Sequence, residues 1–302
     1  MGRLHARTWA ALAGARLVGV VDLVRERAED VAGESGARAF DSIEELAREV
    51  RAVSVACSTT AHLEVAKRLL AAGVDVLVEK PLAASVEEAR ELVAVARGSK
   101  ALLMVGHTER FNPVVRSIGS VLRRPLFVEV HRLAPFTERG TDVDVVLDLM
   151  IHDLDLLLHF VRSRPVSVDA VGVPVLTSGI DIANARIRFA SGTVANLTAS
   201  RVSLERMRKV RFFEPDLYVS LDTMKRTAKA FRLVRGEARP RIEAVDLGEP
   251  PGEEPVAAEL EAFLDAVRTR VEPPVPGEQG LAALELAAWV SRAIREGTPS
   301  VR

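Results

Sequence analysis

The first hundred residues alternate short apolar runs with longer amphipathic stretches, and this alternation constrains the fold more than any other feature. The apolar runs predict buried parallel strands over 16–21, 52–56, 74–78 and 101–105. Helices are predicted over 4–13, over 25–35, from Asp41 or Ser42 to Val50, over 61–72 and over 85–97. Strands that alternate with single helices predict an α/β fold with a doubly wound parallel sheet.

The pattern changes after about residue 110. A strand is predicted over 126–133 and a long apolar helix over 145–161, followed by strands near 166–175, 182–189, 193–201, 208–213 and 217–222. Ser191-Gly192 separates two of these strands and predicts a hairpin turn. Helices are predicted near 256–270 and 278–295. We therefore expect one domain over 1–110 and an α+β domain over 111–302 with a broad, largely antiparallel sheet.

Composition excludes several classes of protein. The 302 residues carry a formal net charge of −1, which gives no electrostatic reason to expect binding to nucleic acid or to an anionic membrane. Cys57 is the single cysteine, so an intrachain disulfide is ruled out and a reducing compartment is indicated. No apolar run reaches the roughly 18 residues that span a bilayer, and the first residues lack the pattern of a signal peptide. We expect a cytoplasmic protein.

Asp22 follows the predicted strand over 16–21. In a dinucleotide-binding fold, an acid at this place accepts hydrogen bonds from both adenosine ribose hydroxyls and repels a 2′-phosphate. It therefore favours NAD over NADP, although Arg25 and Arg27 lie close enough in sequence to keep NADP open. The alternative is an aspartate that starts a turn at the end of a strand.

Glu79-Lys80-Pro81 follows the predicted strand over 74–78. Proline disfavours a helix at the residue before it, so Lys80 is expected to be extended at the carboxyl edge of the sheet, where open α/β sheets bind ligands. A lysine there can donate a hydrogen bond to a substrate hydroxyl or stabilise a developing alkoxide. The alternative is a solvated lysine in a surface loop.

Asp148 and His152 are four residues apart on the predicted apolar helix and share one face of it. A histidine can accept the proton of a hydroxyl while hydride leaves the same carbon, and a nearby carboxylate can orient its ring. A metal site that adds Asp155 and His159 is disfavoured, because four ligands along one straight helix cannot converge on one ion. For Asp155 and His159 we expect capping and subunit contacts, and no metal is predicted.

The segment GHTERFNP at 106–113 is polar and precedes a helix that starts near Pro113. One interpretation places Arg110 or Asn112 at the cleft for the cofactor or the substrate. The other is a linker between domains that ends in a helix start.

Four segments, in this order and at these spacings, resemble the glucose–fructose oxidoreductase, inositol dehydrogenase and MocA family: VVD at 20–22, CSTTAHLEVAKRLLAAGVDVLVEKPLA at 57–83, GHTERFNP at 106–113 and DLMIHDLD at 148–155. The resemblance covers nearly the whole sequence. It implies a Rossmann-like domain that binds NAD(H) or NADP(H), and a second domain whose sheet often mediates oligomerisation, here as a homo-dimer or homo-tetramer. It also implies hydride transfer at a hydroxyl of a sugar, an inositol or a related alcohol.

The resemblance assigns roles to individual residues. It implies that Lys80 and His152 are catalytic and that Asp148 is the acidic partner in a D-x-x-x-H pattern. It implies cofactor contacts at Gly2, Asp22, Thr59, His62, Glu79 and Lys80, with Arg110 as a further candidate.

A closer likeness is to the branch of the family that oxidises the 3-hydroxyl of UDP-N-acetylglucosamine before an aminotransferase acts in lipid A assembly. Three segments carry it: GHTERFNPVV, DIANARIRFASGTVANLTASRVS and MRKVRFFEPDLYVSLD. It suggests that basic residues meet the nucleotide diphosphate, namely Arg201, Arg208, Lys209 and Arg211. The alternative is that these residues are solvated on the faces of strands.

The sequence departs from the family at its start. Met1-Gly2-Arg3-Leu4-His5 matches the end of the motif G-x-G-x-x-G and the R-x-H that follows, so the first strand and two glycines are expected to be absent. Those glycines let the pyrophosphate approach a helix N-terminus. Either Met1 is a mis-assigned start, which we favour, or cofactor binding is weakened or lost. The second case supports a non-catalytic sensor of a sugar or nucleotide as the alternative to a dehydrogenase.

Overall fold

The computed structural model describes residues 1–137, 143–235, 239–248 and 252–297. The chain divides into two compact units, the first made of Met1–Thr108 and Glu253–Leu281, the second of Glu109–Gly252 and Ala282–Arg302. The chain passes from the first unit to the second after Thr108, close to the boundary expected at residue 110. The sequence did not predict that Glu253–Leu281 belongs to the first unit. Phe263 in that segment packs its ring against Trp9, with centroids 6.4 Å apart, so the return buries apolar surface that is distant in sequence.

The helices of the first unit begin close to the positions that the capping residues predict. They are α1 Gly2–Ala11, α2 Arg25–Ser35, α3 Ile43–Ala47, α4 His62–Ala71, α5 Val86–Ser99 and, after the return, α8 Pro255–Thr269. The hydroxyl of Ser42 accepts a hydrogen bond from the backbone N–H of Glu45, so Ser42 rather than Asp41 caps α3. Ser85 caps α5 in the same way. α3 stops at Ala47, earlier than the predicted Val50.

The parallel strands of the first unit form two separate ladders. They are β1 Gly19–Val20, β2 Arg38–Ala39, β3 Ala52–Val55, β4 Asp75–Glu79 and β5 Leu103–Gly106. β1 pairs with β2, and β3, β4 and β5 form a second sheet; within the described ranges no ladder joins β1 to β3. A doubly wound sheet has one more strand at that place, the strand predicted to be absent. β1 is shorter than the predicted 16–21, since β2 alone offers it ladder partners.

The second unit contains one large mixed sheet. Its strands are β6 Phe127–Leu133, β7 Pro165–Val173, β8 Ile182–Phe189, β9 Val194–Ser200, β10 Met207–Phe213, β11 Leu217–Asp222, β12 Thr227–Val234 and β13 Arg241–Val245. Their order is β13-β12-β11-β10-β6-β9-β8-β7, antiparallel except for β6 and β9. The predicted hairpin at Ser191-Gly192 is confirmed, with Gly192 at φ 89°. β12 and β13 were not predicted, because their exposed, charged residues hide the strand pattern.

Helices cover one face of this sheet. They are α6 Pro113–Ser117, α7 Ile151–Val161 and α9 Gly277–Gly297, the last of which crosses from the first unit into the second. Phe160 of α7 packs on Phe212 of β10 with ring centroids 5.2 Å apart. Ile294 of α9 lies so close to Gly172 that a Cβ on that glycine would sit 2.9 Å from it. The covered face is largely apolar, and includes Val128, Val130, Ile187, Leu197, Val210 and Val219.

The opposite face of the sheet carries a row of aromatic rings across four neighbouring strands. Phe127 lies 5.6 Å from Phe213, Phe213 lies 5.2 Å from Tyr218, and Tyr218 stacks on Phe231 at 6.4 Å between centroids. Phe231 at the end of this row is 37% exposed. Among the helices of the described residues, none has the length and apolar character needed to cross a membrane.

Candidate active site

Polar side chains of the first unit follow the carboxyl ends of its parallel strands. Asp22 follows β1, Cys57 follows β3 and Lys80 follows β4. Asp22 is exposed, and its Oδ1 accepts a hydrogen bond from the backbone N–H of Val24 at 2.9 Å. Burial and, in smaller part, the charge of Asp22 raise the pKa of the Cys57 thiol, which means that the ends of β1 and β3 lie near each other. In open α/β sheets this edge is where ligands bind.

Asp22 and Thr59 offer polar groups at this edge, and Gly2 offers the start of a helix, all of which suit the ribose and phosphate parts of a dinucleotide. Asp22 uses one carboxylate oxygen in its turn, and a carboxylate has further lone pairs for ribose hydroxyls. Thr59 is half-buried and starts the short 3₁₀ turn Thr59–Ala61 after β3. Gly2 begins α1 and is exposed, and no described atom lies within 4 Å of the place of a Cβ. The acceptor oxygens of Asp22 and the hydroxyl of Thr59 therefore fit the ribose and phosphate groups of a nicotinamide dinucleotide.

Two predicted cofactor residues have side chains that the protein itself holds. Nδ1 of His62 donates a hydrogen bond to the carbonyl oxygen of Pro81 at 2.9 Å, and burial lowers the pKa of this imidazole. Glu79 is buried, and its Oε1 accepts a hydrogen bond from Nε2 of His5 at 2.9 Å. Its Oε2 accepts one from the backbone N–H of Lys80 at 3.2 Å. Both side chains therefore fix the turn around Lys80, and their cofactor contacts stay a prediction.

Lys80 itself is half-buried at the end of β4. The peptide bond between Lys80 and Pro81 is cis. The turn has support on both sides, from Glu79 on the backbone N–H of Lys80 and from His62 on the carbonyl oxygen of Pro81. This support agrees with the expectation that a fixed backbone presents Lys80 at the edge of the sheet.

Asp148 and His152 lie in the second unit at the start of the long apolar helix. The predicted single α-helix over 145–161 is wrong in its first turn: Val146–Met150 is a π-helical turn, and α7 follows it. Oδ1 of Asp144 accepts a hydrogen bond from the backbone N–H of Leu147 at 2.9 Å and anchors this turn. Asp148 lies in the π-helical turn and His152 in α7, and both are half-buried. Single π-helical turns are frequent at functional sites.

Arg110 is occupied by an ion pair within the second unit. Its guanidinium binds both carboxylate oxygens of Asp155, at 2.7 and 2.6 Å, and its Nη1 donates to Nδ1 of His159 at 2.9 Å. Burial and the neighbouring guanidinium lower the pKa of His159 to about 4, so the ring is neutral at pH 7. Asp155 and His159 thus hold Arg110 inside the unit, which corrects the expectation of helix capping; their subunit contacts stay a prediction.

A buried ion cluster, not predicted from the sequence, packs α7 on the sheet. Arg132 of β6 binds both oxygens of Asp153 at 2.8 Å each and one oxygen of Glu109 at 3.0 Å. Burial opposes the ionisation of Glu109, but the charge of Arg132 outweighs it and lowers the pKa of this carboxyl. The available signal was an arginine at an apolar position of an alternating strand, two residues after Val130. Asn112 caps α6 and donates to the carbonyl oxygen of Thr223, which is a structural role.

The structure separates the four basic residues suggested for a diphosphate. Arg201 is buried and bound to Asp181 and to the carbonyl oxygen of Val143. Lys209 and Arg211 alternate with the buried residues of β10 and lie on the aromatic face, where Arg211 pairs with Glu129. Arg208 lies opposite Arg132 on the face that α7 covers, with its side chain 49% exposed. Of the four, Arg208 is the half-exposed guanidinium on the same side as His152.

Comparison with known proteins matches the N-terminal and C-terminal parts of the chain to two separate family models. A model of the oxidoreductase family with an NAD-binding Rossmann fold matches residues 1–107, and a GFO/IDH/MocA C-terminal domain matches residues 115–215. The chain is 42% identical to UDP-N-acetylglucosamine 3-dehydrogenase of Acidithiobacillus ferrooxidans over 272 residues, 88% of this chain and 85% of the relative.

Two further comparisons cover nearly the full chain. The solved structure of the Acidithiobacillus ferrooxidans enzyme superimposes with a TM-score of 0.90 at 40% identity, covering 97% of this chain and 94% of that one. An inositol 2-dehydrogenase of Rhizobium meliloti is 28% identical over 315 residues, 98% of this chain and 94% of the relative. The chain therefore belongs to the GFO/IDH/MocA family of NAD-binding oxidoreductases.

Proposed function

We propose that this enzyme oxidises the 3-hydroxyl of the sugar in UDP-N-acetylglucosamine, with NAD as the hydride acceptor. The observation that carries the proposal is the 42% identity to an enzyme of that name, which extends over 88% of the chain. A place before amination in lipid A precursor synthesis is part of this proposal. The alternative of a non-catalytic sensor has no support among the comparisons, since the relatives named above are dehydrogenases.

We assign the chemistry to three side chains. Lys80 donates a hydrogen bond to the reacting oxygen and stabilises the negative charge that develops there. His152 accepts the hydroxyl proton, and Asp148 orients its ring. When bound, the nicotinamide ring would supply the acceptor for the hydride that leaves the carbon bearing this hydroxyl. Removal of one proton and one hydride leaves a ketone at C3.

For the cofactor we propose contacts from Gly2, Asp22, Thr59 and Lys80. The exposed carboxylate of Asp22 supports NAD over NADP, because a 2′-phosphate would meet a like charge. The bonds of His62, Glu79 and Arg110 to other protein groups make these residues supports of the neighbouring backbone and helices more than direct cofactor contacts.

Arg208 is our candidate for the diphosphate of the substrate. Its hydrogen bond to Glu109 is long, at 3.5 Å, and burial and the charge of Arg132 lower the pKa of this guanidinium. An anionic ligand would therefore gain by pairing with it. Arg211, three residues further along β10, has a partner in Glu129 and lies on the opposite face. The two arginines form a matched pair for testing recognition of the nucleotide.

The proposal is tested by turnover with defined substrates. NADH binding is first measured by cofactor fluorescence, and NAD reduction is then followed with UDP-N-acetylglucosamine, UDP-glucose, free N-acetylglucosamine and myo-inositol. We expect the highest kcat/KM with UDP-N-acetylglucosamine. Reduction of the product with borodeuteride should place deuterium at C3. Equal turnover of the free sugar, or of inositol, would contradict the assignment of the substrate.

The arginine pair sharpens the test. Arg208→Ala should raise KM for UDP-N-acetylglucosamine by about tenfold or more, the contribution of one charge-assisted hydrogen bond, with little change in the KM for NAD. Arg211→Ala should leave both KM values within about twofold, as expected for the loss of one partly exposed ion pair. A similar loss in both variants would mean that Arg208 only balances the charge of Glu109.

We also propose a cytoplasmic enzyme that forms a homo-dimer or homo-tetramer through the open face of the large sheet. The row of Phe127, Phe213, Tyr218 and Phe231 supports this, since apolar rings on an uncovered face lose water contact on association. Light scattering tests it: Phe231→Arg should lower the oligomeric mass, and an unchanged mass would contradict this interface.

A further inference from the structure

Three buried ionisable side chains of the first unit meet beside the turn that carries Lys80. His5 comes from α1, Glu79 from the end of β4 and Glu259 from α8, and they are 2%, 7% and 0% exposed. Each offers one atom within 4.8 Å of the others. We call these three residues the buried triad. Three segments distant in sequence supply them, so the tertiary structure alone brings them together.

The Glu79 carboxylate is turned inward because the neighbouring strand leaves room for it. Gly106 of β5 lies opposite Glu79, and a Cβ on this glycine would sit 3.3 Å from the Cδ of Glu79. Both carboxylate oxygens are then used, one by Nε2 of His5 and the other by the backbone N–H of Lys80. Glu79 therefore links the interior of the unit directly to the backbone of Lys80.

Glu259 closes the triad from the other side. Its Oε2 accepts a hydrogen bond from the hydroxyl of Thr108 at 3.0 Å, while its Oε1 is buried with no hydrogen-bond partner among the described residues. Burial, with the charge of Glu79, holds the pKa of Glu259 well above its usual range. Two adjacent buried carboxylates oppose each other's ionisation, so the position beside Glu79 favours the neutral form of Glu259.

We propose that His5 and Glu259 are positioning residues that fix the Glu79 carboxylate and, through it, the backbone of Lys80. This inference deepens the proposed function and rests on the role of Lys80 in it. None of the triad touches the reacting atoms in this scheme. His5 supplies the donor that orients Glu79, and Glu259 supplies neutral bulk and the bond to Thr108.

Variants of Glu79 and Glu259 test the proposal by separating kcat from cofactor binding. Glu79→Gln has one acceptor oxygen for two donors, so kcat should fall by about tenfold to a hundredfold, while the Kd for NADH stays within about threefold. Glu259→Ala should lower kcat by about tenfold, and Glu259→Gln, a match for the neutral acid, should restore at least half of it. Glu261→Ala, exposed on the same helix, is the control and should keep the wild-type kcat.

A readout that does not depend on turnover separates this proposal from the proposed function. Reductive methylation labels lysines for NMR, and the signal of Lys80 is identified by its loss in Lys80→Arg. We expect Glu79→Gln and Glu259→Ala to shift this signal, and Glu259→Gln to leave it in place, whether or not the wild type oxidises UDP-N-acetylglucosamine.

Three results would overturn the proposal. One is an NADH Kd that rises with kcat unchanged in Glu79→Gln, which would make Glu79 a cofactor contact. Another is a stoichiometric divalent cation in the purified protein that is lost in Glu259→Gln, because an imidazole and two carboxylates are also a ligand set for such an ion. A Lys80 signal that stays in place in every variant would likewise refute positioning.

Discussion

The two units hold buried charge in different ways. In the second unit, buried arginines form ion pairs with aspartates: Arg110 with Asp155, Arg132 with Asp153 and Arg201 with Asp181. In the first unit, buried ionisable groups keep atoms without a hydrogen-bond partner among the described residues, namely Nδ1 of His5, Nε2 of His62 and Oε1 of Glu259.

We infer from this difference that the closed ion pairs hold the fold and that the incompletely satisfied groups support the proposed chemistry. A bidentate arginine–aspartate pair satisfies its members, so it fixes packing and has little left to offer a ligand. An incompletely satisfied group raises the free energy of the folded state and persists where surrounding structure tolerates it. In this chain those groups surround the turn at Lys80, and this contrast leads to three predictions.

The largest expected effect is on the stability of the second unit. Asp153→Ala leaves the buried guanidinium of Arg132 with Glu109 alone, so the free energy of unfolding should fall by about 3–5 kcal/mol in chemical denaturation. Glu129→Ala, which breaks the partly exposed pair with Arg211, should cost less than about 1 kcal/mol. A loss below about 1 kcal/mol for Asp153→Ala would show that this network does not hold α7 on the sheet.

The second prediction concerns activity in the first unit. Lys80→Ala should lower kcat by about a hundredfold to a thousandfold, as for removal of one donor to a developing negative charge, with the free energy of unfolding changed by less than about 1 kcal/mol. Lys67→Ala, which loses an exposed pair with Glu91, serves as the control for both measurements. If Lys80→Ala instead destabilised the chain as much as Asp153→Ala does, the contrast between the units would fail.

The smallest effect is a change of stability with pH. The folded state raises the pKa of Glu259, so this group contributes stability that is present below its unfolded pKa and is lost as the pH rises toward the folded value. The groups that face it are Glu79, His5 and Thr108. Glu259→Gln cannot ionise, so it should match the wild type near pH 4 and become more stable by about 1 kcal/mol or more at pH 8. Denaturation at several pH values measures this. If the free energies of unfolding of the wild type and of Glu259→Gln change with pH in parallel, Glu259 is not the group responsible.

Local patterns predicted much of the fold. Serine caps at Ser42 and Ser85, the turn at Gly192 and the alternation of apolar residues depend on neighbours in sequence, and the structure contains them. Local patterns were insufficient for β12 and β13, whose pairing with β11 supplies what their composition does not. They also did not reveal the π-helical turn before α7, which depends on contacts of Asp144 outside the helix.

The site shows the same division. The sequence indicated Lys80, His152, Asp148 and Asp22 because these residues follow strands or share a helix face, and these relations are local. It did not indicate Asp153, Arg132 or Glu259, since each has meaning only through a partner at least 20 residues away or on another segment. For Arg110 and Glu79 it indicated a cofactor contact, and the structure shows that each side chain is bound by another group of the protein.

The sequence by itself determined the order of most strands and helices, the family and the residues that carry its motifs, because all of these are properties of neighbouring positions along the chain. The tertiary structure decided which charged groups are satisfied, since burial and ion pairing join residues that the chain order separates. It pairs Arg132 with Asp153, places Arg208 and Arg211 on opposite faces of the sheet, and brings His5, Glu79 and Glu259 together beside Lys80.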